Sequence, residues 1–191
     1  MMTILLDCDD VLLDWVSGFR KFASRALARE IGGEPTSWSM AEWIGGSDNL
    51  VGQLIAEFNG SEAFGELEPV QGSQLIVQQM HEDPDTRLHV ITSCSTDPVT
   101  VARRRANLER HFGVHTFDSV HCLDLGESKK KLLQAWRPGA LWIEDNYKNA
   151  VLGADVGHRV MIRTRPHNQV HRANSDPRLF WFDHWSQLGE I

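Results

Sequence analysis

A short apolar run, Thr3 to Leu6, stops abruptly at the carboxylates of Asp7, Asp9 and Asp10. A strand buried on both faces has this pattern, apolar along its length and polar only where it leaves the sheet. The same unit recurs down the chain with helical segments between its copies, and that alternation is what most restricts the fold. Further strands are predicted at Leu88–Thr92, Ser119–Leu123, Ala140–Ile143 and His158–Ile162. Helices are predicted at Ser73–Glu82, Pro98–Phe112, Lys129–Trp136 and Asn146–Leu152, with a short amphipathic helix near Trp185 to Leu188. Strands separated by helices pair through crossovers, so the expected fold class is α/β with a doubly wound parallel sheet. Ligands of such sheets bind at the carboxyl ends of the strands.

One stretch breaks the rhythm. From Val11 to Ile31 the apolar residues Val11, Leu12, Trp15, Val16, Phe19, Phe22, Ala23, Ala26 and Leu27 recur at helical spacing, and Gly32-Gly33 supplies a stop. Glu34 to Pro69 is then rich in Gly and Trp, has no strand pattern, and holds a helix near Asn49 to Phe58. It is expected to form a small helical cap inserted after the first strand and helix. The domains are then a core of 1–14 and 70–191 and a cap of 15–69.

Nineteen Lys and Arg against twenty-six Asp and Glu give a net charge of −7, the wrong sign for gripping a nucleic-acid polymer. A small anionic ligand fits if a metal or a local basic patch offsets that field. Cys8, Cys94 and Cys122 are odd in number, far apart and without CxxC spacing, so reduced thiols are expected rather than disulfides or a zinc knuckle. The N-terminal apolar run is too short and too soon acidic for a signal peptide, and no run approaches the roughly 20 residues of a membrane span. A cytoplasmic protein with no membrane partner is expected.

The chemistry gathers at the strand ends. Asp7 and Asp9 follow the first strand at i, i+2 spacing, which in extended backbone aims both carboxylates to one side. An isolated DxD is also an ordinary acidic turn, so the other strand ends decide. The second ends in Thr92-Ser93, hydroxyls suited to holding a phosphate oxygen. Lys129, Lys130 and Lys131 open a helix, where a cation opposes the helix dipole and therefore lacks a local stabilising reason. Glu144-Asp145 closes the fourth strand, with Asn149 one helical turn beyond Asp145. Carboxylates, hydroxyls, an ammonium and a second carboxylate set thus follow in order along the chain.

That order, carried by Asp7-Cys8-Asp9-Asp10-Val11, Thr92, a helix-leading lysine and Glu144-Asp145 with Asn149, resembles the haloacid-dehalogenase superfamily of phosphohydrolases. Phe64 to Pro69 with Gly72, Ile91-Thr92-Ser93, His111-Phe112-Gly113, His167-Asn168-Gln169 and the terminal Trp181, Asp183 and Trp185 further resemble its 5'(3')-deoxyribonucleotidases. The resemblance implies a phosphoric monoester hydrolase acting on (deoxy)nucleoside monophosphates. It implies that Asp7 attacks phosphorus and forms an aspartyl-phosphate while Asp9 protonates the leaving alcohol and then activates water. It also implies that Asp7, the backbone carbonyl of Asp9, and Asp145 hold Mg²⁺. The charge is needed, because a carboxylate about 4 Å from a phosphate dianion faces roughly 8 kcal/mol of repulsion at an effective dielectric of about 20. That repulsion is worth about six decades of rate. A homodimer is the assembly that relatives of this kind imply.

Lys129 is the preferred catalytic lysine, since Leu132 and Leu133 follow to anchor its helix, although Lys130 and Lys131 remain open. Glu144 stands where the superfamily has a second aspartate, and it binds the ion directly, through water, or not at all. Asp10 replaces a glycine, in a loop whose left-handed backbone aspartate tolerates better than most residues. Substrate contacts are expected from Ser93, and from one or two of Trp38, Trp43, Phe58 and Phe64 as surfaces for base stacking, although core packing is the favoured reading for each aromatic taken singly. Arg163 and Arg165 read as a solvated edge, the His111/His115 and His167/His171 pairs as surface residues rather than zinc ligands, and Cys8 as packing. The rival functions are a phosphatase for another small metabolite and a catalytically silent binding protein of the same fold.

Overall fold

The computed structural model describes residues 1–189. Six strands form one sheet: β1 (Met2–Leu6), β2 (Thr86–Ser93), β3 (Ser119–Leu123), β4 (Leu141–Glu144), β5 (Arg159–Arg163) and β6 (Leu179–Phe182). Their order across the sheet is β3-β2-β1-β4-β5-β6, and every neighbouring pair is parallel. The helices are α1 (Trp15–Ala26), α2 (Met40–Ile44), α3 (Asp48–Asn59), α4 (Ser73–Glu82), α5 (Pro98–Phe112), α6 (Lys130–Ala135) and α7 (Tyr147–Asp155), joined by 3-10 turns at Glu62–Glu66, Pro166–Asn174 and Trp185–Leu188. The expected α/β fold with a parallel sheet is the one observed.

Alternation along the strands divides the core in two. Ile4, Leu6, Leu88 and Val90 face one side and pack with Phe19 of α1, Ile76 of α4 and Leu108 of α5. Leu5, Ile91, Trp142 and Val160 face the other and pack with Leu133 of α6 and Ala150 and Ala154 of α7. Each large apolar side chain removed from water in this way contributes roughly 1.5–3 kcal/mol, and helices on both faces leave the sheet no wet side.

The sequence misjudged two elements for identifiable reasons. The first helix begins at Trp15 rather than Val11, with the Asp14 side chain accepting from the Ser17 amide at 3.1 Å as its N-cap. Val11, Leu12 and Leu13 are fully buried in a tight turn in which the Leu12 and Leu13 amides both donate to the Cys8 carbonyl. Burial on that turn imitates the helical apolar spacing. The sixth strand was not anticipated, because Leu179–Phe182 has four residues at a sheet edge and its burial does not alternate cleanly. The chain leaves and re-enters the core beside itself: Asp14 N donates to Glu68 O and Val70 N to Leu12 O, both at 2.8 Å. Residues 15–67 are therefore a closed excursion between β1 and α4.

Candidate active site

The chain runs from β1 outward to β2 and β3 on one side, and from β4 outward to β5 and β6 on the other. The loops that follow β1 and β4 part in opposite directions and leave a crevice at this switch point. Register fixes what meets there. Leu6 is the partner of Ile143, and Asp7 N donates to Ile143 O at 2.9 Å, so Asp7 stands beside Glu144 despite 136 intervening residues. Asp7, Glu144 and Asp145, all buried, each offer a carboxylate oxygen within 4.8 Å of the others. Such a set of hard oxygen donors has the chemistry of a divalent-cation site.

Lys129 bridges this group. Its Nζ lies 2.7 Å from Asp7 Oδ1 and 2.9 Å from Glu144 Oε2, while Lys130 and Lys131 point to solvent. Leu133, fully buried one turn later, anchors the helix beneath it. Burial alone would lower the pKa of Lys129, but the carboxylates of Asp7 and Glu144 hold it above its usual value. The negative charge is only partly balanced: burial, reinforced by Glu144, pushes Asp7 up to about 8 against the opposing pull of Lys129. Asp7 Oδ1 also accepts from Cys8 N at 2.8 Å, so Oδ2 is the oxygen left for a substrate or an ion.

Glu144 turns inward. Its Oε1 accepts from the amides of Asp145 and Asn146 at 3.1 and 3.0 Å and its Oε2 from Lys129, so both oxygens shape the loop and buttress the lysine. The Asp145 side chain, by contrast, lines the cavity. Two residues of the 3-10 turn after β5 hold it there: His167 Nε2 lies 3.1 Å from Asp145 Oδ2, and Asn168 Nδ2 donates to the Asp145 carbonyl at 2.6 Å. His167 is only 5% exposed, which corrects its reading as a surface histidine. Burial would lower its pKa, but Asp145 keeps it above the usual value.

Asp9 is engaged by a residue that sequence reasoning missed. Arg104 of α5, fully buried, donates through Nη2 to Asp9 Oδ1 and stacks its guanidinium 4.0 Å above the Phe64 ring. Burial pushes Asp9 up to about 6, with Arg104 pulling the other way. A group poised there suits proton transfer near neutral pH. Asp10 adopts φ +58°, the left-handed conformation expected of its position. Its side chain accepts from Val16 N at 3.2 Å, its carbonyl accepts from Arg163, and Arg165 lies 3.5 Å from its carboxylate. Arg163 and Arg165 therefore fasten the loop carrying Asp9, where a solvated edge was expected.

Above the acids opens a cavity of about 740 Å³, walled by the segment after β1, by α2 and α3, by the loop before α6, and by α7. Ser93 and Trp38 line it; Trp38 is 60% exposed, its ring centroid 5.2 Å from that of His167 in an edge-to-face arrangement. Phe64 does not. It is fully buried between Phe58 and Arg104, so the aromatic surface expected for a base belongs to the core. Trp43 also stays off the wall, its indole N–H donating to Gly32 O at 3.0 Å and its ring packing beside Phe19. Thr92 sits behind the wall, fully buried, and its Oγ1 has no protein partner. Trp15 and Asn59, unforeseen, do line the cavity: Trp15 Nε1 donates to Asn59 Oδ1 at 3.0 Å, and Asn59 Nδ2 to Cys94 O at 3.1 Å.

A parallel sheet with paired carboxylates after its first strand, a buried lysine and a second acidic pair at the switch point defines a haloacid-dehalogenase-like hydrolase. Solved structures agree on the fold. A haloacid dehalogenase-like hydrolase from Streptococcus pneumoniae superposes with a TM-score of 0.69 at 14% identity, covering 100% of this chain and 98% of that one. A protein from Clostridium acetobutylicum described as a predicted phosphatase gives 0.71 at 15% identity, covering 99% and 96%. The D,D-heptose 1,7-bisphosphate phosphatase of B. bronchiseptica, complexed with magnesium and phosphate, gives 0.60 at 13%, covering 100% and 97%. No curated protein matched in sequence. The sequence model of the family described as 5' nucleotidase, deoxy (Pyrimidine), cytosolic type C, matches residues 1–181, and the chain belongs to that family. It is accordingly a phosphoric monoester hydrolase of the nucleotidase type.

Proposed function

We propose that the protein is a Mg²⁺-dependent phosphomonoesterase that releases phosphate from (deoxy)nucleoside monophosphates through an aspartyl-phosphate. The observation that carries this reading is the meeting of Asp7, Asp145 and Lys129 beneath a cavity whose upper walls are largely apolar. Asp7 Oδ2 attacks phosphorus, the ester P–O bond breaks, and the leaving oxygen takes a proton from Asp9. The Asp9 carboxylate then takes a proton from water as the resulting hydroxide attacks the acyl phosphate, which frees phosphate and restores Asp7. Lys129 offsets charge on the transferring group. Ser93, on the cavity wall, and Thr92, whose buried hydroxyl has no protein partner, orient that group.

The donor set fits a divalent cation. Three buried carboxylates converge where one ammonium offsets only part of their charge, and burial of that excess is what lifts Asp7. Asp7, Asp145 and the Asp9 carbonyl would hold Mg²⁺, which when bound supplies the charge that lets an anionic nucleophile approach an anionic ester. Residues 15–69 act as the cap, and its Trp38 and α3 face the nucleoside. The free cysteines are in keeping with a reducing cytoplasm.

Phosphate release from nucleoside 5'- and 3'-monophosphates and from sugar phosphates, with and without Mg²⁺, tests the reading. Turnover of a nucleotide that needs the ion is expected, and Asp7→Asn lowers kcat by at least about 10³-fold. Release from sugar phosphates alone would move the assignment to another small metabolite. Undiminished turnover in Asp7→Asn would remove the nucleophile.

A further inference from the structure

Helix α3 turns one continuous face to the cavity: Asp48, Val51, Gly52, Ile55 and Asn59 all line it, at i, i+3, i+4, i+7 and i+11. At the centre of that face stands a glycine. A glycine inside a helix lowers stability relative to alanine, so its presence needs a reason. Two others in this fold have one: a Cβ on Gly18 of α1 would lie 2.2 Å from Leu67 Cδ2, and one on Gly153 of α7 would lie 2.4 Å from Trp142 Cδ1. Gly52 has neither a positive φ nor a neighbour, since a Cβ there would meet nothing within 4 Å. Its missing side chain leaves only space, and that space is part of the cavity.

α7 lines the same cavity with Val151 and Leu152 beside the polar Lys148, Asn149 and Asp155, so the cavity that Gly52 borders offers apolar surface and polar groups together. A flat ring entering such a slot gains from burial on both faces and needs clearance on the side where Gly52 stands. We infer that Gly52 is a specificity-determining residue: the notch over its bare Cα receives the leaving group and sets the width of ring that the enzyme accepts. The inference deepens the nucleotide reading and rests on it. Val51 and Ile55 flank the notch as the contacts a ring would meet.

The test compares wild type, Gly52→Ala and Gly52→Leu on the best nucleoside monophosphate and on acetyl phosphate, whose leaving group is too small to span the slot, with the Tm of each protein measured alongside. Gly52→Ala is expected to raise Tm by about 1–4 °C, because helix propensity improves and nothing is displaced. Gly52→Leu is expected to lower the ratio of kcat/KM for the nucleotide to that for acetyl phosphate by at least about tenfold, chiefly through KM, with Gly52→Ala lowering it by about threefold. An unmoved ratio in folded Gly52→Leu, or in Gly52→Ala should the leucine variant fail to fold, overturns the role of Gly52 alone. A wild-type protein that cleaves acetyl phosphate but no nucleoside monophosphate overturns the nucleotide reading and this inference with it.

Discussion

At the scale of single residues, the site joins groups whose chemistry is local to partners whose importance is not. Asp7 and Asp9 stand out in the sequence because a buried strand rarely ends in spaced carboxylates. Arg104 does not stand out, as it is the middle member of Arg103-Arg104-Arg105 in a helix that also exposes charge. Only the packing of α5 turns it inward with Thr100 and Asn107, one turn to either side on the same stripe. Arg104→Met should lower kcat about 10–100-fold, as the proton-transferring carboxylate loses its holder. Removing one partner of a buried pair costs about 3–5 kcal/mol. The Asp9 side chain keeps 21% exposure, so the loss in urea unfolding should fall lower, at about 2–3 kcal/mol. Arg104→Lys should recover part of the rate, a recovery that a purely structural role would not require. His167 was equally hidden, because nothing in its neighbours in sequence foretells Asp145 at 3.1 Å.

At the scale of elements, the same substitution on two helices should act with opposite signs. Gly153→Ala forces a methyl into Trp142 and should destabilise by about 1–3 kcal/mol, whereas Gly52→Ala should stabilise by about 0.5–1 kcal/mol, both read from urea midpoints. The strand pair β2–β3 carries its own pH response. His89 Nδ1 lies 2.9 Å from Ser119 Oγ, and its ring packs 4.1 Å from that of Trp136. Burial lowers its pKa below 6.5, against the pull of Asp118. The folded state thus binds this proton less readily than the unfolded chain does, so its share of stability is present above pH 6.5 and is lost as pH falls through the lowered value. The urea midpoint of wild type relative to that of His89→Gln should fall between about pH 7.5 and 5, since the raised carboxyls of Asp7 and Asp9, which gain protons over the same range, are common to both proteins. Elements with strong internal patterns, such as α4 and α5, were legible to the residue. β6 was not, since a four-residue edge strand owes its form to the neighbour it pairs with.

For the whole molecule, the gathering of buried acids makes stability and metal binding one equilibrium. An ion that binds only the folded state adds stability by mass action, about 2.7 kcal/mol at a hundredfold excess over Kd. Mg²⁺ should therefore raise Tm by about 5–10 °C in a chain this size, and Asp145→Asn should remove most of that rise without any assay of turnover. No helix among the described residues is long and apolar enough to cross a membrane. The sequence by itself determined the parallel sheet and the strand ends at which Asp7, Ser93 and Asp145 stand, because apolar period and chain order are local properties. Tertiary structure alone decided which lysine reaches Asp7, that Glu144 turns inward while Asp145 faces the cavity, that Phe64 belongs to the core, and that Arg104 holds Asp9. Those outcomes depend on register between strands far apart in the chain and on which helix face is buried, and distances across a fold leave no periodic trace in a sequence.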